Sequence, residues 1–231
     1  LEAPYALPED LVFGDKYRGK TNELVTQLAI NIATAHFQRK GRPKTLLDPM
    51  AGRGTTLLWA LRAGLSSRGI EIDPGALDDL HRHFKRQTKV HRIKHEHNSG
   101  FVGKKNSENK GKFQRYEAAG NYLQLIAGDS ARASDLLGGQ RFDLLVADLP
   151  YGVQFHGSKR RDPIGTVAAC APAWVECVRE GGVIVLIFNT YQPKREALVE
   201  VFEDLGCKPQ AFSAPHRMSE SIVRDLVVFV R

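Results

Sequence analysis

A chain of 231 residues, 42% hydrophobic and 26% charged, has the size and balance of one large α/β domain, or of one domain carrying an elaborate insertion. No run approaches the roughly 18 apolar residues of a membrane span, and no basic start leads into an apolar core, so membrane insertion is excluded and a cytoplasmic protein is expected. The net charge of +7 is local: from His81 to Arg115 there are eleven Lys or Arg against Glu96 and Glu108, a balance of +9, which leaves −2 for the rest. Such a block points to a polyanionic partner, nucleic acid first. Cys170, Cys177 and Cys207 are odd in number and fit no Cys-x-x-Cys spacing, so they read as small core residues. The first residue is Leu1 rather than methionine, which fits a fragment of a longer protein whose upstream domain is missing.

Residues 1–43 read as an extended lead-in followed by a covering helix. Pro4, Pro8 and the short apolar piece Leu11 to Phe13 come first. Thr21 is a plausible N-cap, Glu23 suits the first turn, and Leu24, Leu28, Ile32 and Ala35 recur at helical spacing until Gly41-Arg42-Pro43. The rest of the chain, 44–231, is read as one domain, with a basic insertion at 87–120.

The domain opens with Thr45 to Asp48, a strand that ends on an acid. The turn Ala51-Gly52-Arg53-Gly54 follows, and an apolar helix begins at Thr55. Gly52 and Gly54 permit positive φ and close approach of a ligand to the backbone. A Walker loop would need lysine where Thr55 stands, and a dinucleotide fingerprint would need glycine where Leu57 stands. A carboxylate at Asp48 suits a ligand that carries amines and a cation. Asp48-Pro49-Met50-Ala51-Gly52-Arg53-Gly54 resembles the first motif, Asp-Pro-x-x-Gly-x-Gly, of class I methyltransferases that use S-adenosylmethionine. The resemblance implies that Asp48, Met50, Ala51, Gly52, Gly54 and Thr55 line that cofactor.

Ser67 to Ile72 makes a second strand, and Asp73-Pro74 starts a helix with Asp73 as its cap. Glu71, 19 residues past Gly52, has the spacing of an acid that accepts both ribose hydroxyl protons. From 97 to 112 the chain is rich in Gly, Asn and Lys with little to bury, so a mobile loop is expected there. The spacing His91-x-x-x-His95-x-His97 lacks carboxylate or thiolate company, so no metal is expected, and a solvated basic face touching phosphates is the reading kept. Tyr122 to Ala127 is the third strand, and Gly128-Asp129-Ser130 follows it. The resemblance gives Asp129 the adenine amino group, while a plain helix cap explains it equally well.

Phe142 to Ala147 is an apolar strand that ends in Asp148-Leu149-Pro150-Tyr151. In a doubly wound sheet this end lies on the same edge as Asp48 and Glu71. The tetrad suits methylation of an exocyclic amine. The Asp148 carboxylate and the Leu149 carbonyl accept the two N–H hydrogens, Pro150 stiffens the turn, and Tyr151 stacks on the base. It resembles the Asp/Asn/Ser-Pro-Pro-Tyr/Phe motif of amino-methyltransferases, with Leu149 replacing the first proline. The two motifs, 100 residues apart, together with Arg18-Gly19-Lys20-Thr21, look most like the catalytic domain of THUMP-associated tRNA guanine-N2 methyltransferases. That family implies a Rossmann-like α/β fold, a seven-stranded mixed sheet with helices on both faces, and tRNA as partner. The RNA-capturing THUMP module itself is absent from the chain.

Beyond the tetrad, Lys159, Arg160 and Arg161 are placed to grip a nucleic-acid backbone, and His156 is read as a loop residue. A helix over 165–180, a strand from Val183 to Phe188 and a helix from Lys194 to Leu205 follow. Cys207 to Phe212 and Ile222 to Val230 are expected to close the sheet, with His216 to Ser219 as a loop between them. The alternatives kept are adenine-N6 methylation of DNA or RNA, a non-catalytic nucleic-acid-binding subunit, and a small-molecule or protein methyltransferase.

Overall fold

The computed structural model describes residues 5–13, 22–103, 111–150, 162–219 and 222–231. A short helix, α1 (Asp10–Phe13), stands where an extended lead-in is expected. It forms because the segment is held against the domain: Leu11 and Val12 are buried, and His83 Nε2 lies 2.7 Å from the Leu11 carbonyl oxygen. Tyr5 packs edge-on against Trp59 under the Arg62 guanidinium. The covering helix is α2 (Glu23–Ala35), capped by the Asn22 side chain, which accepts the Leu24 and Val25 N–H groups; Thr21 lies outside the described residues.

The alternation then runs β1 (Thr45–Asp48), α3 (Thr55–Arg62), β2 (Ser66–Glu71) and α4 (Gly75–Val90). Next come β3 (Glu96–Val102), β4 (Gly111–Ala118) and β5 (Asn121–Ala127). A 3-10 turn at Ser130–Arg132, α5 (Ala133–Leu136) and β6 (Phe142–Asp148) follow. The chain closes with α6 (Pro163–Glu176), β7 (Val178–Asn189), α7 (Arg195–Asp204), β8 (Lys208–Pro209), β9 (His216–Ser219) and β10 (Ile222–Val230).

Among the described residues the sheet has ten strands in the order β3-β4-β5-β2-β1-β6-β7-β10-β8, with β9 attached to β10. The expected seven-stranded mixed sheet is its stretch from β5 to β8. Strands β5, β2, β1, β6 and β7 run parallel, and β10 is antiparallel to β7 and β8. Successive residues of the central strands enter opposite cores. Leu46, Val146, Val185 and Leu226 pack under α2, α3 and α4, whereas Leu47, Ala147, Leu186 and Val227 pack under α5, α6 and α7. That two-sided burial explains the nearly continuous apolar runs of β1, β6 and β7.

Three further local readings change. Residues 97–112 are expected to form a mobile loop, but Glu96–Val102 and Gly111–Ala118 pair as an antiparallel hairpin that adds to the β5 edge, Phe113 opposite Ile126. Composition misses this because main-chain bonds to an existing edge replace apolar burial as the reason to order; only β4 buries alternate residues, among them Gln114, Tyr116 and Ala118. Residues 104–110, its most lysine-rich part, lie outside the described ones. At the other edge, Cys207–Phe212 reduces to the two residues of β8, and His216–Ser219 is a strand rather than a loop.

Candidate active site

The carboxyl ends of β5, β2, β1 and β6 lie side by side, and their registers carry Asp129, Glu71, Asp48 and Asp148 to one edge of the sheet. The loop after β1 is shaped by Gly52 and Gly54, both at positive φ, 51° and 88°. Four of its N–H groups are used within the protein. Met50 N–H donates to Asp48 Oδ1, Ala51 N–H to the Ile70 carbonyl, Gly52 N–H to Glu71 Oε2 and Gly54 N–H to the Ala51 carbonyl, at 2.8–3.0 Å. The loop therefore offers shape and acidic groups rather than an anion cradle. Leu57 stands where a dinucleotide fold has its third glycine, and Gly69 on β2 supplies the room instead. A Cβ there would lie 2.6 Å from the Ala51 Cβ and 2.8 Å from Leu57 Cδ1. Ala51 and Thr55 are buried and Met50 is partly so, against the α5–α7 core.

Asp48 is 2% exposed. Burial pushes its carboxyl up to about 7, with a further push from the Glu71 charge, against hydrogen bonds from the Thr56 hydroxyl and the Met50 N–H. Glu71 bridges the loop to the next helix, since its Oε1 accepts the Asp73 N–H at 3.0 Å while Oε2 holds Gly52. Asp73 in turn accepts the Gly75 N–H at the start of α4. Asp129 is exposed and its Oδ1 accepts the Ala131 N–H, so it is at least a cap.

On the neighbouring strand end, Leu149 N–H donates to the Ile187 carbonyl at 2.8 Å, and its side chain, 2% exposed, joins the core. Pro150 is partly buried at the last described position before a gap. Tyr151, Lys159, Arg160, Arg161 and His156 lie outside the described residues.

One residue at this edge escaped the sequence reading. Arg224 on β10 is 1% exposed and forms an ion pair, through Nη2, with Asp148 Oδ1. Burial brings the guanidinium down to about 10, so it remains a cation at neutral pH. The available signal was a charged residue at the mouth of an otherwise apolar strand run, Leu226 to Val230.

The residues present fit S-adenosylmethionine. Three carboxylates line the edge for a ligand with an ammonium, a sulfonium, ribose hydroxyls and an adenine amine, and a Cβ on Gly52 would meet no atom within 4 Å, so the loop leaves space above it. Among the described residues no helix is long and apolar enough to cross a membrane.

Comparison with known proteins agrees. The fold is shared with magnesium protoporphyrin IX methyltransferase (ChlM) from Synechocystis PCC 6803 with bound SAH, at TM-score 0.59 and 13% identity over 96% of this chain and 91% of that one. An rRNA methylase from Streptococcus thermophilus matches at TM-score 0.53 and 11% identity, over 93% and 99%. TrmN from Thermus thermophilus matches at TM-score 0.56 and 12% identity over 93% of this chain, which spans 50% of TrmN. None of the curated proteins matches. The family model described as UPF0020, RMKL-like methyltransferase domain, matches residues 18–208. With the first motif, the sheet order and the acidic edge in place, the chain belongs to this RMKL-like family and is a class I S-adenosylmethionine-dependent methyltransferase.

Proposed function

We propose that the protein methylates an exocyclic amino group of a base in RNA, guanine N2 of tRNA first, in the cytoplasm. The observation that carries this reading is Asp148, with Leu149 and Pro150, at the end of the strand adjacent to the cofactor loop. An exocyclic amine is a poor nucleophile because its lone pair is shared with the ring. Asp148 and the Leu149 carbonyl accept its two hydrogens and turn the lone pair outward, and Tyr151 offers a face for the base. Bound S-adenosylmethionine supplies the electrophilic methyl group. Asp48, Met50, Ala51, Gly52, Gly54 and Thr55 hold that cofactor, Glu71 takes the ribose hydroxyls and Asp129 the adenine edge.

RNA as the substrate class is supported by the basic block. Lys89 on α4, Arg92 and Lys94 in the turn that follows it and Lys112 on β4 are exposed, and Lys159, Arg160 and Arg161 follow the tetrad in sequence. The likeness to an rRNA methylase is consistent with the same class.

The test is methyl transfer from labelled S-adenosylmethionine to unmodified total tRNA, rRNA and duplex DNA in parallel, with product nucleosides identified by mass spectrometry. N2-methylguanosine in tRNA is expected. N6-methyladenine would replace the reading with adenine methylation, and transfer to none of them, with cofactor binding intact, would reject it for this chain acting alone.

A further inference from the structure

We infer that Arg224 is a positioning residue for methyl transfer: from β10 it holds one oxygen of the Asp148 carboxylate and leaves the other to meet the substrate amine. The inference rests on the amine-methylation reading for its chemistry, but the pairing stands on geometry alone. Arg224 sits opposite Asn189 at the end of β7, whereas Asp148 sits opposite Ile187, so the arginine side chain reaches across β7 to β6. On β6 and β10 the alternate residues Val146, Leu226 and Val228 enter the core under α2–α4, which places Asp148 and Arg224 on that same face.

The charge next to it has other business. Asp225 accepts from Arg195 Nη2 and Ser213 Oγ, each at 2.8 Å, and from the Ala214 N–H at 2.7 Å. The two adjacent charges of β10 therefore belong to separate networks, one under the sheet and one at the candidate active site.

A buried guanidinium is a poor choice for stability, because desolvating two ions offsets much of their attraction, and an apolar residue of similar length packs a strand as well. What the pair provides is direction. An unclamped carboxylate rotates about its Cβ–Cγ bond; with Oδ1 held by Arg224, Oδ2 has one orientation. An ionised carboxylate accepts from an N–H donor, which a neutral carboxyl would oppose with its hydroxyl.

Two measurements on the full chain test this. In the first, thermal unfolding is compared for the wild type, Asp148→Asn, Arg224→Met and the double variant. Asp148→Asn strands a buried cation and lowers Tm, and adding Arg224→Met restores part of the loss; simple additivity of the two changes would show that the residues are not coupled and overturn the proposal. In the second, transfer to unmodified tRNA transcripts is followed under saturating cofactor. Arg224→Met is expected to lose about a hundredfold in kcat, with tRNA KM and S-adenosylhomocysteine binding within about threefold, and Arg224→Lys to stay within about tenfold. A folded Arg224→Met protein with wild-type kcat would overturn the positioning role even if the unfolding data are coupled. Failure of the wild type to methylate any tRNA, rRNA or DNA, with coupled unfolding, would instead reject the amine reading and the positioning role with it, leaving the pair as architecture.

Discussion

Asp48 and Asp148 end neighbouring parallel strands and both sit low in the sheet edge, yet they are treated oppositely. Asp48 is surrounded by neutral donors, Thr56 and the Met50 N–H, with another acid, Glu71, nearby. Asp148 has the Arg224 cation against it. Among the described residues the proposed cofactor side thus presents acids with no cation paired to Asp48, while on the proposed substrate side Asp148 is matched by a buried cation. The same residue type at equivalent strand ends is suited to the two proposed jobs because its partners differ.

The sharpest way to break this division is Asp148→Ala. Turnover should fall by about a thousandfold or more, while S-adenosylhomocysteine affinity measured by calorimetry stays within a few-fold. Joint loss of both would mean that the two sides are one site.

The next largest effect concerns Asp48 and pH. Its folded-state value of about 7 lies above the ordinary 3.8, so between these the folded protein keeps a proton that the unfolded chain has released. Stability from this group therefore falls as pH rises across that window, by up to about 4 kcal/mol, and Asp48→Asn should flatten the profile in chemical denaturation. Cofactor binding by the wild type should strengthen as pH rises through about 7, since a cation prefers the ionised carboxylate; a flat binding profile would remove the contrast with Asp148.

Glu71→Ala comes third. It removes an acceptor of the Gly52 N–H and the proposed ribose ligand, and should weaken cofactor binding by about tenfold to a hundredfold, roughly 1.4–2.7 kcal/mol, with little change in kcat at saturation. Smallest is Lys112→Ala on the hairpin. RNA affinity should drop only a few-fold, and the slope of log affinity against log salt should fall by about 0.7–0.9 if that lysine meets a phosphate. An unchanged slope would move the RNA-binding surface elsewhere.

Most of the fold was readable because its signals are local. Apolar residues ending at Asp48 and Asp148 mark buried parallel strands, and Gly52 and Gly54 mark a turn that needs positive φ. The glycine that makes the loop fit was not readable: Gly69 does by proximity what a third glycine in the motif does elsewhere, and it lies on a different strand. The hairpin β3–β4 was missed because its residues look soluble one by one, and only the free edge of β5 explains their order.

By itself the sequence determined the strand-and-helix alternation, the methyltransferase family and the position of the acids at strand ends, since each depends on neighbours within a few residues and on side-chain alternation. Only the tertiary structure decided what surrounds those acids. Arg224 meets Asp148 from 76 residues away across an intervening strand, and Asp48 is left with neutral donors and the acid Glu71, because charge state follows from burial and from partners that chain folding brings together.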